Sequence, residues 1–118
     1  MRYVLLVYGE EKDLYALTPE QGAKLDADSL AYNRVLEGQG KLIIAQALQT
    51  VTMSKSLRRR KGKRLITDGP FAETKEQLLG FVMVEAAGLD EALDIAEAIP
   101  LAELGTIEVR AVYDIPGS

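Results

Sequence analysis

Apolar residues along the chain form short runs and stripes that predict alternating strands and helices. Residues 2–8, RYVLLVY, are rich in β-forming side chains and too few for a typical helix. They are apolar at both odd and even positions, which indicates a strand covered on both faces. Three more runs predict strands of the same sheet, at residues 41–48, 78–85 and 106–115.

A helix is predicted to begin after Thr18, because three start signals agree. Thr18 can cap the helix, Pro19 occupies its first position, and Gln21 completes a Thr-x-x-Gln capping box. Gly38 or Gly40 is expected to end it. A period of 3.6 residues predicts an inward face comprising Leu25, Ser29, Tyr32, Val35 and Leu36.

A second helix is predicted between Gly88 and Pro100, since proline cannot continue a helix. Asp90 and Glu91 suit its positive N-terminal end. Its predicted apolar stripe comprises Leu89, Ala92, Leu93, Ala96 and Ile99. Residues 10–17, between the first strand and the first helix, are expected to form a loop.

Residues 51–57 and 63–67 predict the two arms of a β-hairpin, with the turn in RRKGKR and Gly62 at its tip. Residues 55–64 hold seven basic residues in ten, a composition that favours phosphate binding. RNA-recognition motifs also follow a βαββαβ order, but their strand aromatics are matched here by Phe81 alone. We interpret the segment as a solvated hairpin, with nucleic-acid binding as the remote alternative.

The element order predicts an α+β fold, a ferredoxin-like βαββαβ sandwich with an inserted β-hairpin, as one domain over residues 1–118. Two helices cover only one face of such a sheet. The first strand nevertheless carries apolar residues on both faces, such as Leu5 on one and Leu6 on the other. A second copy of the same sheet, related by a two-fold axis, is the expected cover, so the sequence predicts a homodimer.

The amino-acid composition limits the kinds of chemistry that this chain can perform. With 47% apolar residues and a formal charge of −4, the chain is expected to be globular and cytoplasmic. No apolar run reaches the length of a membrane span. Cysteine and histidine are both absent, which removes disulfides, thiol chemistry, the commonest general base and the commonest metal ligand. No metal and no cofactor are predicted.

Four segments resemble one family. YVLLVYG at the start, TDGPFAETKEQLLGF in the middle, LDEAL opening the second helix and IEVR near the end are similar to the YCII-related superfamily, in its DGPF-domain branch. The resemblance implies a dimeric α+β barrel of ferredoxin-like subunits. It also implies a site in the dimer cleft, where some relatives carry a His-Asp pair. Asp68 corresponds to the aspartate of that pair, and no residue of this chain corresponds to the histidine.

Asp68 is the candidate catalytic residue, with two interpretations. Asp, Gly and Pro all favour turns, so Asp68, Gly69 and Pro70 can be structural only. Yet an Asx-turn needs an N–H two residues on, and Pro70 has none. The carboxylate is then available to a ligand, as a general acid or base. Phe71 is expected to bury the loop as an anchor.

Other candidate ligand-binding residues are Tyr8, Glu73, Lys75, Glu76 and Arg110. The charged residues of the loop can line a polar pocket, or they can form solvated ion pairs of little energetic weight. An arginine in a cleft can bind an anionic ligand, although pairing with a nearby glutamate is the commoner arrangement.

Two main functional hypotheses follow. In the first, a homodimer binds an unknown small molecule in a cleft near Asp68, with or without acid–base catalysis. In the second, the protein is non-catalytic and regulatory, because DGPF-branch relatives are often associated with sigma factors.

Overall fold

The structure, a computed structural model, describes residues 1–118 as a four-stranded sheet with helices on one face and a separate two-stranded ribbon. The strands are β1 (Arg2–Gly9), β2 (Leu42–Ala47), β3 (Lys55–Arg60), β4 (Lys63–Asp68), β5 (Gln77–Glu85) and β6 (Thr106–Ala111). The helices are α1 (Glu11–Tyr15), α2 (Pro19–Gly38) and α3 (Leu89–Glu97), with short 3₁₀ helices at Val51–Met53 and Pro100–Glu103. No helix is both long and apolar enough to span a bilayer.

The sheet order is β2-β5-β1-β6, and every neighbouring pair is antiparallel. This arrangement confirms the predicted α+β, ferredoxin-like fold. Strands β3 and β4 pair only with each other, so the predicted hairpin is an insertion outside the main sheet.

The two faces of the sheet differ in what covers them. Tyr3, Leu5 and Val7 of β1 are buried under the helices, together with Val82 and Val84 of β5. The opposite face, called the open face below, has no covering layer within the chain. Its central side chains are half-buried and lie in facing pairs: Val4 with Met83, Leu6 with Phe81, and Tyr8 with Leu78.

Local signals explain where α2 begins and ends. The Thr18 Oγ1 accepts from the Gln21 N–H at 3.1 Å, and the Thr18 N–H donates to Gln21 Oε1 at 2.9 Å. The predicted capping box is therefore present, and it satisfies N–H groups that have no partner inside the helix. After Gly38 the chain turns through Gly40, whose φ of 72° suits glycine best.

Four predicted element boundaries are wrong. Strand β3 runs to Arg60 instead of residue 57, which leaves only Lys61 and Gly62 in the hairpin turn. Residues 10–17 contain α1, because the Glu10 carbonyl accepts from the N–H groups of Asp13 and Leu14. Residues 51–53 form a 3₁₀ helix rather than strand, closed by a bond from the Met53 N–H to the Thr50 carbonyl. Strand β6 ends at Ala111 instead of residue 115, since its neighbour β1 begins at Arg2 and offers no further partner.

The predicted helix stripes need correction too. Val35 of α2 is exposed, because it lies about 100° around the helix from the buried Leu36. Leu89 and Leu93 of α3 are also exposed. The buried stripe of that helix is Ala92, Ile95, Ala96 and the following Ile99, at the i, i+3, i+4, i+7 spacing that faces a single surface.

The ribbon β3–β4, called the arm below, projects from the rest of the chain. It contains no buried residue. The radius of gyration is 16.3 Å, whereas a compact chain of this length has about 13.5 Å. The accessible surface is 8601 Å², whereas a compact monomer of this mass exposes about 6,300 Å². A single chain thus exposes more surface than a compact monomer of the same size.

Candidate functional site

A polar junction joins the sheet to the base of the arm. Glu11 Oε2 accepts from the Val51 N–H at 3.1 Å, and the Glu11 N–H donates to Gln77 Oε1 at 2.9 Å. Gln77 Nε2 in turn donates to the Thr74 carbonyl at 2.7 Å. These bonds connect the start of α1, the 3₁₀ helix before the arm and the end of the DGPF loop.

Glu10 is the least exposed carboxylate among the ion pairs of the structure. Its side chain is 13% exposed and lies 3.8 Å from Lys75 Nζ and 3.6 Å from Lys12 Nζ. Lys75 is expected either to line a polar pocket with the other charged residues of the loop or to form a solvated ion pair, and in the chain its ionic partner is Glu10. Neither Glu73 nor Glu76 forms an ion pair in the chain.

Asp68 ends β4, and its side chain is 85% exposed. It accepts a hydrogen bond from Lys55 Nζ, directly across the ribbon. The turn after it is held by other groups: the Gly69 N–H donates to the Ser54 carbonyl at 2.8 Å, and Ser56 Oγ donates to the Gly69 carbonyl at 2.8 Å. The Asp68 carboxylate therefore does not cap the turn, and no cleft encloses it within one chain.

The DGPF turn is shaped by its glycine and is not anchored by its aromatic residue. Gly69 has φ 88°, a left-handed conformation that favours glycine. Phe71 is 80% exposed, so the expectation that it buries the loop is wrong within the single chain. Pro70 is exposed as well.

Tyr8 and Arg110 lie on the open face, on neighbouring strands. Tyr8 is half-buried opposite Leu78. Arg110 Nε lies 3.7 Å from Glu108 Oε2, so the arginine is paired with a glutamate of its own strand. Neither Tyr8 nor Arg110 has a hydrogen bond or ion pair to Asp68, and the structure does not assemble the predicted residues into one cluster.

A cavity of about 740 Å³ lies between α2 and the helix-covered face of the sheet. Small residues leave this space unfilled: Ala45, Ala47 and Gly80 on the strands, and Gly22 and Ser29 on the helix. A Cβ at position 80 would lie 2.5 Å from the Gln46 carbonyl oxygen, so glycine permits the close approach of β2. Most lining residues are apolar, and Glu11, Asp26 and Asn33 supply polar groups.

Tyr32 forms part of the cavity wall and ties α2 to α3. Its hydroxyl donates to the Ile95 carbonyl at 2.8 Å. Burial raises the pKa of the Tyr32 hydroxyl above its usual value, because removing the phenolate from water is unfavourable. Tyr32 therefore serves as a neutral hydrogen-bond donor. No group of three or more acidic side chains converges closely enough to hold a metal ion.

Comparison with known proteins places this chain in a family. The family model described as the YCII-related domain matches residues 1–116. The chain belongs to the YCII-related family. An uncharacterized protein of Rhizobium meliloti (strain 1021) is 40% identical over 112 residues, which cover 93% of this chain and 90% of that protein. The resemblance found in the sequence is confirmed.

No motif in the sequence of this YCII-related protein predicts its cavity or its polar junction. Glu10 and Glu11 belong to no motif, and only the fold brings Val51 and Gln77 next to Glu11. The cavity depends on small residues that meet from two elements distant in sequence. A helix face interrupted by Gly22 and Ser29 was the one available signal of incomplete packing.

Proposed function

We propose that this YCII-related protein acts as a homodimer that binds a small organic molecule. The observation that carries the proposal is the cavity beneath α2. Its volume of about 740 Å³ lies within the range of roughly 300–1,000 Å³ typical of small-molecule sites. Its mostly apolar wall with a few polar groups is also typical of such sites.

The polar groups of the cavity indicate the class of ligand. Glu11 and Asp26 contribute carboxylates, which accept hydrogen bonds and attract positive charge. No lysine or arginine lines the cavity. The best match is a mainly apolar molecule that carries an amine or another hydrogen-bond donor.

The homodimer is supported by the open face and by the uncovered surface. The accessible surface exceeds that of a compact monomer by about 2,300 Å². Two chains together could thus bury an area in the range of obligate dimers. In this proposal Tyr8 and Arg110 belong to the contact between subunits, because both lie on the open face.

Asp68 remains the candidate acid–base residue of the proposal. Its carboxylate makes no hydrogen bond to the backbone of its own loop, so its local structural role is small. Asp68 does not line the cavity of its own chain, so an acid–base role on the cavity ligand requires Asp68 of the partner subunit. A reaction is not required for the proposal, because ligand binding alone accounts for the cavity.

A tryptophan placed in the cavity tests the proposal, since the native chain contains no tryptophan. Ser29→Trp puts an indole into the cavity, and Ala31→Trp puts one on the exposed side of the same helix. The probe is the uncharged dye Nile red, followed by a thermal-shift screen of neutral and cationic aromatic compounds.

We expect native protein and Ala31→Trp to bind the dye and the hits, and Ser29→Trp to bind them at least tenfold more weakly. The indole of Ser29→Trp should also fluoresce at shorter wavelength than that of Ala31→Trp, because it is buried. Equal binding by both variants, with both folded, would contradict a ligand site in the cavity.

A further inference from the structure

The arm has two chemically different faces, because directly opposed residues of a ribbon share a face and successive pairs alternate. One face, called the inner face below, carries the pairs Lys55–Asp68, Leu57–Ile66 and Arg59–Arg64. The other, called the outer face, carries Ser56–Thr67, Arg58–Leu65 and Arg60–Lys63. Only the inner face has an apolar pair, and Asp68 lies on that face.

The inner face has the composition of a contact surface. Leu57 and Ile66 are both exposed, and nothing in their own chain covers them. The pair is flanked by two arginines on one side and by the Lys55–Asp68 ion pair on the other. An apolar centre with a charged margin is the usual anatomy of a protein interface. An isolated two-stranded ribbon is only marginally stable in water, so the arm needs such a contact.

Charge identifies the occupant as a protein surface rich in carboxylates. The arm, residues 55–68, contains seven basic residues and one acidic residue, Asp68, a formal charge of +6. The rest of the chain contains the other seven basic and 17 acidic residues, a formal charge of −10. A second copy of this chain therefore offers the complementary surface, and the two-fold axis of a dimer lets both arms use it.

We propose that the inner face of the arm docks on a second copy of this chain, so that the two subunits of the dimer exchange arms. The inference rests on the homodimer proposed above and adds which part of the partner covers each subunit. It also locates Asp68: in the dimer, each chain places its Asp68 carboxylate at the boundary with the other chain. The exposure of Asp68, Leu57 and Ile66 in a single chain then has one common cause.

Two neighbouring residues of β4 allow a matched test. Ile66 on the inner face and Leu65 on the outer face are each 49% exposed. Threonine suits a strand at either position. We expect Ile66→Thr to raise the dimer dissociation constant by roughly tenfold or more in sedimentation equilibrium, since an apolar contact is lost. Leu65→Thr should leave that constant within about twofold of the native value.

Different failures have different meanings in this test. A native chain that stays monomeric at high micromolar concentration would contradict both the homodimer and the arm exchange. A dimer that both variants weaken equally, or that neither weakens, would contradict the arm exchange and leave the homodimer intact. Nile red binding to the cavity reports on the proposed ligand site independently of either result.

A direct observation of the contact comes from isotope-filtered NMR. Chains with labelled isoleucine methyl groups are mixed with unlabelled chains, and cross-peaks between the two kinds of chain are recorded. We expect cross-peaks from the Ile66 methyl groups. Cross-peaks from Ile44, on β2, without any from Ile66 would contradict the inference. Salt-dependent binding of a generic single-stranded RNA would also contradict the inference if Arg59→Gln abolished that binding and left the dimer unchanged. The inner face would then be a nucleic-acid site.

Discussion

The body, which is the four-stranded sheet with its helices, and the arm differ in how they cover their apolar side chains. In the body, helices cover one face of the sheet, and Leu5 and Val84 lose all contact with solvent. In the arm, Leu57, Leu65 and Ile66 stay exposed, because a two-stranded ribbon has no second layer. The comparison teaches that one chain buries the helix-covered face of its sheet, whereas the apolar residues of the arm have no cover within their own chain.

Charge separates the same two regions, and a polar junction connects them. The basic arm and the acidic remainder of the chain can attract each other between chains more readily than within one, because the arm projects away from the sheet and helices of its own chain. The junction formed by Glu11, Val51 and Gln77 fixes where the arm begins. Glu11 also lines the cavity, so the junction links the arm to the candidate site.

Truncating one leucine in each region should give the largest difference. Leu5→Ala should lower the free energy of unfolding by about 2–5 kcal/mol, since it leaves a hole in a fully buried site. Leu65→Ala, on the outer face of the arm, should change that free energy by less than about 0.5 kcal/mol. Urea unfolding followed by circular dichroism measures both. Similar losses for the two variants would show that the arm packs as tightly as the body.

Removing the junction carboxylate should have an intermediate effect. Glu11→Ala deprives the Val51 N–H of its acceptor, at a cost of about 1–3 kcal/mol for a partly buried donor. Hydrogen exchange at the Val51 amide should accelerate. Glu11→Gln keeps a carbonyl acceptor and should recover most of the loss. If Glu11→Gln were as unstable as Glu11→Ala, the charge of Glu11 and not its hydrogen bond would hold the junction.

Elements with strong local signals could be predicted from the sequence. The capping box at Thr18 places the start of α2 correctly, and the short apolar runs predict all four strands of the sheet. Very short elements, and features that depend on tertiary contacts, could not be predicted from the sequence. Helix α1 has five residues and no capping side chain, and the end of β6 depends on where β1 begins.

Less of the candidate site than of the fold could be predicted from the sequence. The DGPF stretch gave the family, and it directed attention to Asp68. The partner of Lys75 is Glu10, 65 positions earlier, and no local pattern predicts such a pair. The sequence gives only a weak signal of the cavity, the small residues Gly22 and Ser29 on a helix face, because the small strand residues that complete it are distant in sequence.

Asp68→Asn gives the smallest expected change in stability and the sharpest test of the DGPF loop. Asparagine tolerates the same backbone as aspartate, and the lost ion pair with Lys55 is exposed. We therefore expect the free energy of unfolding to change by less than about 0.5 kcal/mol. Lys55→Met removes the other half of the same ion pair and serves as the control for that loss.

Asp68→Asn and Lys55→Met should differ in how tightly they bind the ligand. If Asp68 meets the ligand at the subunit boundary, amine-bearing hits of the thermal-shift screen should bind Asp68→Asn at least tenfold more weakly, because a carboxylate attracts a cation and an amide does not. Nile red, which has no charge, should bind native protein and both variants alike. Lys55→Met should retain the amine-bearing hits, since it leaves the carboxylate in place. Undiminished binding of those hits by Asp68→Asn would assign the Asp-Gly-Pro-Phe stretch to the turn alone, and the polar contact with the ligand would then fall to Glu11 and Asp26 in the cavity lining.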